Sequence, residues 1–260
     1  MNKITAAFQN GKAFIPFLTG GDPDIDTTEK LVKAMAEAGA DIIEIGVPFS
    51  DPIAEGVVIQ EASQRALDAG CTVDQLFDMV ARLRESGVTI PLIFMGYGNS
   101  VYGYGAERFM IRCKEAGVDG LILPDVPFEE REEFAAFLSQ HGITQISMVA
   151  PTSQDRARAI AREAQGFLYC VSSLGVTGVR ASISGQIGEI IALAKSERDI
   201  PCAIGFGIST PEQASAMAKL ADGVIVGSAI VKLIAEHGRD SVPPVTAYVK
   251  TMKQAIGEQS

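Results

Sequence analysis

The amino-acid sequence predicts a single (β/α)8 barrel, and three observations support this prediction. The chain has 260 residues, and barrels of this class typically contain about 250. Eight short apolar runs recur along the chain, separated by amphipathic segments with helical periodicity. Each run is almost continuously apolar, which is typical of parallel strands that are covered on both faces. Alternating strands and helices of this kind build a parallel sheet with right-handed crossovers.

The eight runs give the predicted strands in order. They cover residues 13–19, 41–47, 91–97, 120–126, 144–150, 166–172, 201–207 and 223–228. Among the intervening helices, Thr72 with Gln75 and Thr210 with Gln213 fit the capping box, in which each side chain caps the other residue's backbone. No linker, low-complexity tract or shift in composition interrupts the pattern, so we expect one domain over residues 1–260.

The net charge and the cysteine content indicate which partners and which cellular compartment fit this chain. The chain has 22 Lys+Arg and 32 Asp+Glu, a formal net charge of −10, which disfavours nucleic acid and anionic membranes as partners. No apolar stretch approaches the roughly 18 residues of a membrane span, and the first residues contain no apolar signal core. The four cysteines form no Cys-x-x-Cys pair, which indicates reduced thiols. We therefore expect a cytoplasmic protein that binds neither nucleic acid nor membrane.

Two long segments follow predicted strands. Residues 47–60 follow the second strand, and residues 172–188 follow the sixth. In this fold the loops after the strands form the face that carries the active site, and long loops are often functional. We expect both segments to be active-site loops, with a harmless insertion as the alternative for each.

Glu44 is the leading catalytic candidate. It lies within the second predicted strand, flanked by Ile42, Ile43 and Ile45, and none of the eight runs contains Lys or Arg. Desolvation without a neutralising cation raises a carboxyl pKa, so we expect Glu44 to be a proton donor near neutral pH. The alternative is a buried glutamate bonded to backbone or water. The absence of a strand lysine argues against a Schiff-base lyase.

Further carboxylates lie near the ends of predicted strands. Asp51 and Glu55 belong to the loop after the second strand, and Asp125 ends the fourth. Two carboxyls in different environments can divide acid and base roles. The alternatives are solvated charges, helix caps or a Mg²⁺ site. Both histidines, His141 and His237, fall at predicted helix ends, so we expect no histidine-based metal site.

The segments that follow the seventh and eighth predicted strands predict an anion site. GFGIS follows the seventh strand, and VGSAIVK runs from the eighth strand into a short helix. Loops after these strands, with a helix N-terminus, form the phosphate site common in this fold. We select Gly207, Gly227 and Ser228, with Gly178 from the sixth loop, and tight turns without a ligand are the alternative. The sequence has no G-x-G-x-x-G and no Walker A loop, which disfavours nucleotides.

Three aromatic residues lie near the carboxyl ends of predicted strands. Phe17, Tyr169 and Phe206 can wall a flat apolar pocket there. For each one alone, ordinary core packing is the competing interpretation.

Four segments carry a family resemblance. EIGVPFSDPIAEG, GVTG, GFGIS and GVIVGSAIV occur in this order, and with them almost the whole chain resembles the α subunits of the tryptophan synthase family. This resemblance implies cleavage of indole-3-glycerol phosphate to indole and glyceraldehyde 3-phosphate, a retro-aldol reaction without metal or Schiff base. Glu44 matches the catalytic glutamate. Glu55 stands where the family usually has an aspartate that handles the indole N–H proton.

The resemblance also implies a substrate pocket and a partner. The matching substrate-binding residues are Phe17, Tyr169, Thr177, Gly178, Phe206, Gly207, Gly227 and Ser228. The implied partner is a β subunit that carries pyridoxal phosphate, receives indole through a tunnel and forms an α2β2 assembly, so this chain itself needs no cofactor. Pro48, Asp51 and Asn99 would face that subunit. Glu55 is one methylene longer than aspartate, which leaves open a mainly activating subunit with weak chemistry. Another lyase or isomerase of sugar phosphates on the same barrel is a further alternative.

Overall fold

The computed structural model describes residues 2–151, 153–171, 180–205 and 207–257, and for residues 180–185 it describes the backbone only. The strands of this described part form one sheet in the order β5-β4-β3-β2-β1-β9-β8-β7-β6. They are β1 (Ala13–Thr19), β2 (Ile43–Gly46), β3 (Leu92–Met95), β4 (Gly120–Ile122), β5 (Thr144–Gln145), β6 (Ser147–Val149), β7 (Leu168–Val171), β8 (Cys202–Gly205) and β9 (Gly223–Val226). Every strand pair is parallel.

Helices alternate with these strands and cover the sheet. They are α1 (Lys3–Ala6), α2 (Ile25–Glu37), α3 (Val57–Asp68), α4 (Val73–Glu85), α5 (Gly98–Tyr104), α6 (Ala106–Ala116), α7 (Glu132–His141), α8 (Gln154–Glu163), α9 (Arg180–Glu197), α10 (Pro211–Ala218), α11 (Ser228–His237) and α12 (Val242–Gly257). The capping boxes predicted at Thr72 and Thr210 are both present, since each threonine hydroxyl and its partner glutamine exchange bonds with the backbone. None of the described helices is long and apolar enough to cross a membrane.

The predicted fifth strand is split in two, and this split closes the barrel. β5 pairs with β4 through Thr144 and Gln145, whereas β6 pairs with β7 from Ser147 onward. The chain changes neighbours at Ile146, whose N–H still donates to the Leu121 carbonyl at 3.0 Å. The predicted (β/α)8 barrel is therefore confirmed, with its fifth strand in two pieces.

Both long predicted loops are shorter than expected. The first ends at Gly56, because α3 begins at Val57. The start of α3 was not predictable from the sequence, because Gly56, the residue before it, has no side chain that could cap the helix. The second was expected to extend to residue 188, but α9 already begins at Arg180; residues 172–179 lie outside the described part.

The barrel wall separates two apolar clusters. The inner cluster fills the barrel and includes Ile15, Ile42, Ile93, Phe167 and Ile225. The larger outer cluster packs the sheet against the helices. Since strand side chains alternate between the two faces, this division follows from the continuously apolar strands.

The short helix α1 closes one end of the barrel. Its Ile4 is fully buried in the inner cluster. A Cβ added at Gly120 would lie 3.0 Å from Ile4 Cδ1, and one added at Gly166 would lie 3.1 Å from Ile4 Cγ2. The isoleucine therefore fills space that these two glycines leave open.

We expect Ile4→Ala to lower the free energy of unfolding by about 2–5 kcal/mol, because it empties a closely packed site. Urea unfolding measures this loss. Lys3→Ala is the matched control in the same helix, since its side chain is exposed and makes only a surface ion pair with Asp119, worth about 1 kcal/mol or less. If both variants lost the same free energy of unfolding, the packing of Ile4 inside the barrel would not be what stabilises this end.

Candidate active site

Glu44 lies inside the barrel, as its flanking isoleucines predict. In β2 it pairs with Phe17 of β1 and Ile93 of β3, and its exposed fraction is 1%. Neither carboxyl oxygen has a hydrogen-bond partner among the described residues. Burial raises the pKa of Glu44 to about 8, so at neutral pH the carboxyl is mostly protonated. The predicted burial is confirmed, while the catalytic role stays a prediction.

Two aromatic rings accompany Glu44 in the barrel. The Tyr169 ring lies over Gly205, where an added Cβ would be 2.7 Å from Tyr169 Cζ. The Phe17 ring lies over Gly46, where the corresponding distance to Phe17 Cζ is also 2.7 Å. Burial, and then the charge of Glu44, raise the pKa of Tyr169 well above its usual range. Tyr169 therefore stays neutral beside the carboxyl, and the glycines provide the space for both rings.

Glu55 supplies a second perturbed carboxyl. It lies immediately before α3 and is partly buried, and its Oε2 has no hydrogen-bond partner among the described residues. Burial raises the pKa of Glu55 to about 7. The Gln60 side chain donates to the Glu55 carbonyl at 2.8 Å, which fixes the main chain at this point. The two carboxyls thus differ in burial and in pKa.

Tyr97 positions the loop that carries Glu55. Its hydroxyl accepts the Ala54 N–H at 3.1 Å, and its ring stacks on Phe49 with centroids 5.1 Å apart. Burial raises the pKa of Tyr97 to about 12, and the charges of Glu55 and Asp125 act in the same direction. Tyr97 was not among the residues predicted from the sequence. Its place at the end of the third apolar run was the available signal.

The remaining acidic candidates have structural partners. Both Asp125 carboxylate oxygens accept the Gly98 N–H at 3.0 and 3.1 Å, so Asp125 fixes the start of α5. Asp51 is exposed and accepts the Ser50 hydroxyl proton at 2.5 Å. Among the described residues, no group of three or more His, Cys, Asp or Glu side chains is arranged to hold a metal ion. His141 and His237 are the last residues of α7 and α11, as predicted.

The predicted phosphate residues lie at the ends of adjacent strands. Gly227 follows β9 and precedes α11, which starts at Ser228 without a side-chain cap. Gly207 follows β8 with a φ of +73°, a left-handed conformation that favours glycine. An uncapped helix N-terminus beside a glycine turn offers free backbone N–H groups to an anion. Thr177, Gly178 and Phe206 lie outside the described residues.

The three predicted partner-facing residues differ in exposure. Asp51 and Asn99 are exposed, whereas Pro48 is buried, and the contact of all three with a partner stays a prediction. Around them, three large apolar side chains are exposed, which the sequence analysis did not select. They are Ile53, Val57 and Tyr102, with exposed fractions of 81%, 65% and 52%.

Comparison with known proteins identifies the family. The family model described as "Tryptophan synthase alpha chain" matches residues 4–257. The chain belongs to this family. A tryptophan synthase alpha chain from Alkaliphilus metalliredigens is 47% identical over 255 residues, covering 96% of this chain and 95% of the relative. One from Caldanaerobacter subterraneus is 48% identical over 263 residues, covering 98% and 100%.

Solved structures agree with this family membership. Tryptophan synthase subunit alpha from Legionella pneumophila superposes with a TM-score of 0.89 at 37% identity, covering 98% of each chain. A chain from the aminoacrylate-bound form of Mycobacterium tuberculosis tryptophan synthase gives 0.87 at 30% identity, covering 98% of this chain and 100% of that one. The (β/α)8 barrel and the family are thus established independently.

The buried carboxyl predicts a specific pH dependence of stability. Glu44 ionises near pH 8 in the folded chain but near 4.5 when unfolded. Between these values the folded state retains a proton that the unfolded state has lost, so the free energy of unfolding falls as pH rises, by about 1.4 kcal/mol per pH unit. Urea unfolding from about pH 5 to pH 8 should show a shallower slope for Glu44→Gln than for the wild type. Glu55, whose pKa is raised to about 7 by burial, contributes to the residual slope.

Glu85→Gln is the control for this experiment, because it removes an exposed carboxylate of α4. It should retain the wild-type slope. A Glu44→Gln slope equal to that of the wild type would mean that Glu44 releases its proton at its ordinary pKa.

Proposed function

We propose that the chain cleaves indole-3-glycerol phosphate to indole and glyceraldehyde 3-phosphate, with Glu44 as the acid. The observation that carries this proposal is a carboxyl without a protein partner, inside the barrel, whose burial raises its pKa to about 8. Membership of the tryptophan synthase alpha chain family supports the choice of substrate.

The reaction needs one proton delivered and one removed. Indole is a poor carbanion leaving group, so its C3 carbon must be protonated before the bond to the glycerol carbon breaks. Glu44, protonated at neutral pH, can deliver that proton. As the bond breaks, the adjacent glycerol hydroxyl becomes the aldehyde, and its proton can return to the Glu44 carboxylate. Positioned proton transfer of this kind contributes about 10² to 10⁴ in rate.

Glu55 is proposed to handle the indole N–H. Protonation at C3 places positive charge on the indole nitrogen, and an ionised carboxylate can stabilise that charge or accept the proton. With a pKa of about 7, Glu55 is about half ionised at neutral pH. The Tyr97 and Gln60 contacts hold the main chain of its loop.

The substrate pocket is proposed to combine aromatic walls with a phosphate site. Phe17 and Tyr169 flank Glu44 inside the barrel and provide flat apolar surfaces for indole. Gly207, Gly227 and Ser228 provide backbone N–H groups for the phosphate, which lies away from the breaking bond and supplies binding energy for orientation. The proposed pocket also includes Thr177, Gly178 and Phe206, and their inclusion rests on the family resemblance alone.

The proposed partner is a tryptophan synthase β subunit, in an α2β2 assembly. Three exposed apolar side chains, Ile53, Val57 and Tyr102, lie on the loop after β2, at the start of α3 and on α5. Asp51 is exposed on the same loop after β2, and Asn99 is exposed on α5. Exposed apolar residues with polar neighbours are typical of a protein–protein interface. Pyridoxal phosphate would belong to that subunit.

The cytoplasm is the proposed location. All four cysteines are unpaired, and three of them are buried. Free thiols fit a reducing compartment.

The proposal is tested by Glu44→Gln, which keeps the size of the side chain but removes its transferable proton. We expect indole release from indole-3-glycerol phosphate to fall by at least about 10²-fold, while affinity for a phosphate ester without the cleavable hydroxyl changes little. Glu85→Gln should keep wild-type turnover. Near-normal turnover in Glu44→Gln would remove Glu44 from this role.

The same assay decides between catalysis and activation. A chain that is mainly an activating subunit would release little indole alone or with a β subunit, yet still raise the partner's activity. The proposed function predicts indole release by the isolated chain and faster release with the partner. A preference for other sugar phosphates in a substrate screen would favour a different lyase or isomerase.

A further inference from the structure

The turn after β8 forms one half of the proposed phosphate site. Gly207 has a φ of +73°, and a Cβ added there would meet no atom of the described residues within 4 Å. In the described part of the chain, no group accepts a hydrogen bond from the N–H of Gly207 or of Ile208. Successive main-chain N–H groups in a turn of this kind can bind an anion.

Ser209 follows this turn and is held by a side chain of α10. The Gln213 side-chain oxygen accepts the Ser209 N–H at 2.8 Å and the Ser209 hydroxyl at 3.2 Å. The same oxygen accepts the Thr210 N–H at 3.2 Å, as part of the capping box that starts α10. Gln213 therefore fixes the donors of Ser209 and leaves its carbonyl oxygen to another partner.

The partner of this carbonyl is Tyr248 of α12. The Tyr248 hydroxyl donates to the Ser209 carbonyl oxygen at 3.0 Å, across 39 positions of the chain. The side chain is half-buried and packs against the outer cluster. Burial raises the pKa of Tyr248 to about 12, so the hydroxyl keeps its proton and remains a donor at neutral pH.

The helix that carries Tyr248 contacts both halves of the proposed phosphate site. α12 packs against α10, which follows the Gly207 turn, and against α11, whose first residue is Ser228. The Tyr248 hydroxyl adds a directed contact to this packing, because it bonds to the main chain of the turn itself. The position of the turn relative to α12 therefore depends on one hydrogen bond.

We propose that Tyr248 is a positioning residue for the phosphate group of the substrate. It acts through Ser209, whose carbonyl it holds, and so orients the turn that carries the Gly207 and Ile208 N–H groups. This inference rests on the proposed function, since it requires a phosphate ester as the ligand. Without the bond, phosphate binding must order the turn, so affinity for the phosphate falls. Proton transfer by Glu44 is unaffected.

Tyr248→Phe tests this proposal, because it keeps the ring and its packing but removes the hydroxyl. Tyr104→Phe is the matched control. The Tyr104 side chain is also half-buried against the outer cluster, and its hydroxyl donates to Asp74 of α4. The control therefore removes the same atom from a tyrosine of α5, which is not part of the phosphate site.

Binding of glycerol 3-phosphate is measured by phosphorus-31 NMR, and binding of indole by its fluorescence, since the chain contains no tryptophan. We expect Tyr248→Phe to weaken glycerol 3-phosphate binding about three- to ten-fold, as for the loss of one neutral hydrogen bond. The KM for indole-3-glycerol phosphate should rise by a similar factor, with kcat and the affinity for indole unchanged. Tyr104→Phe should keep the wild-type values of all four quantities.

Unchanged affinity for glycerol 3-phosphate in Tyr248→Phe would overturn the proposal. An equal loss of affinity for indole would also overturn it, because a general disturbance of the barrel weakens both ligands. Turnover of indole-3-glycerol phosphate by the wild type separates this failure from that of the proposed function. Normal wild-type turnover with unchanged phosphate affinity in the variant refutes the role of Tyr248 alone, whereas no wild-type turnover refutes the proposed function.

Discussion

An uncompensated carboxyl is buried inside the apolar barrel of this chain. Glu44 is enclosed, without a hydrogen-bond partner among the described residues and outside their ion pairs. An ionised carboxylate in such a place is so costly that the group takes up a proton instead. This state requires that the strands carry no cation, and none of the strands has a Lys or Arg. The apolar strands therefore set the proton affinity of the site as well as the fold.

Glycines and a loop place two aromatic rings and a second carboxyl at the barrel end that contains Glu44. Glycines beneath Tyr169 and Phe17 allow both rings to lie against the strands. The loop before α3 brings Glu55 to the same end of the barrel, in a less buried environment, where burial raises its pKa to about 7. Two carboxyls with different environments can take different parts in one proton-transfer sequence.

Much of this arrangement was predictable from the sequence, because it follows from local patterns. Continuous apolar runs predicted a parallel barrel, and three isoleucines around Glu44 predicted its burial. Features that depend on tertiary contacts were not predictable. The start of α3 follows an uncapped glycine, the fifth strand changes neighbours at Ile146, and Tyr97 reaches Ala54 across 43 positions of the chain. The raised pKa of Glu55 depends on packing around its loop, so neither its composition nor its spacing revealed it.

The most direct measurement is the titration of the Glu44 carboxyl itself. Carbon-13 NMR of the side-chain carboxyls, with the Glu44 resonance assigned from its absence in Glu44→Gln, follows this one group through the pH range. We expect a midpoint near pH 8 in the folded chain. A midpoint near 4.5, the ordinary value for glutamate, would show that Glu44 is ionised at neutral pH and cannot donate the proton that the mechanism requires.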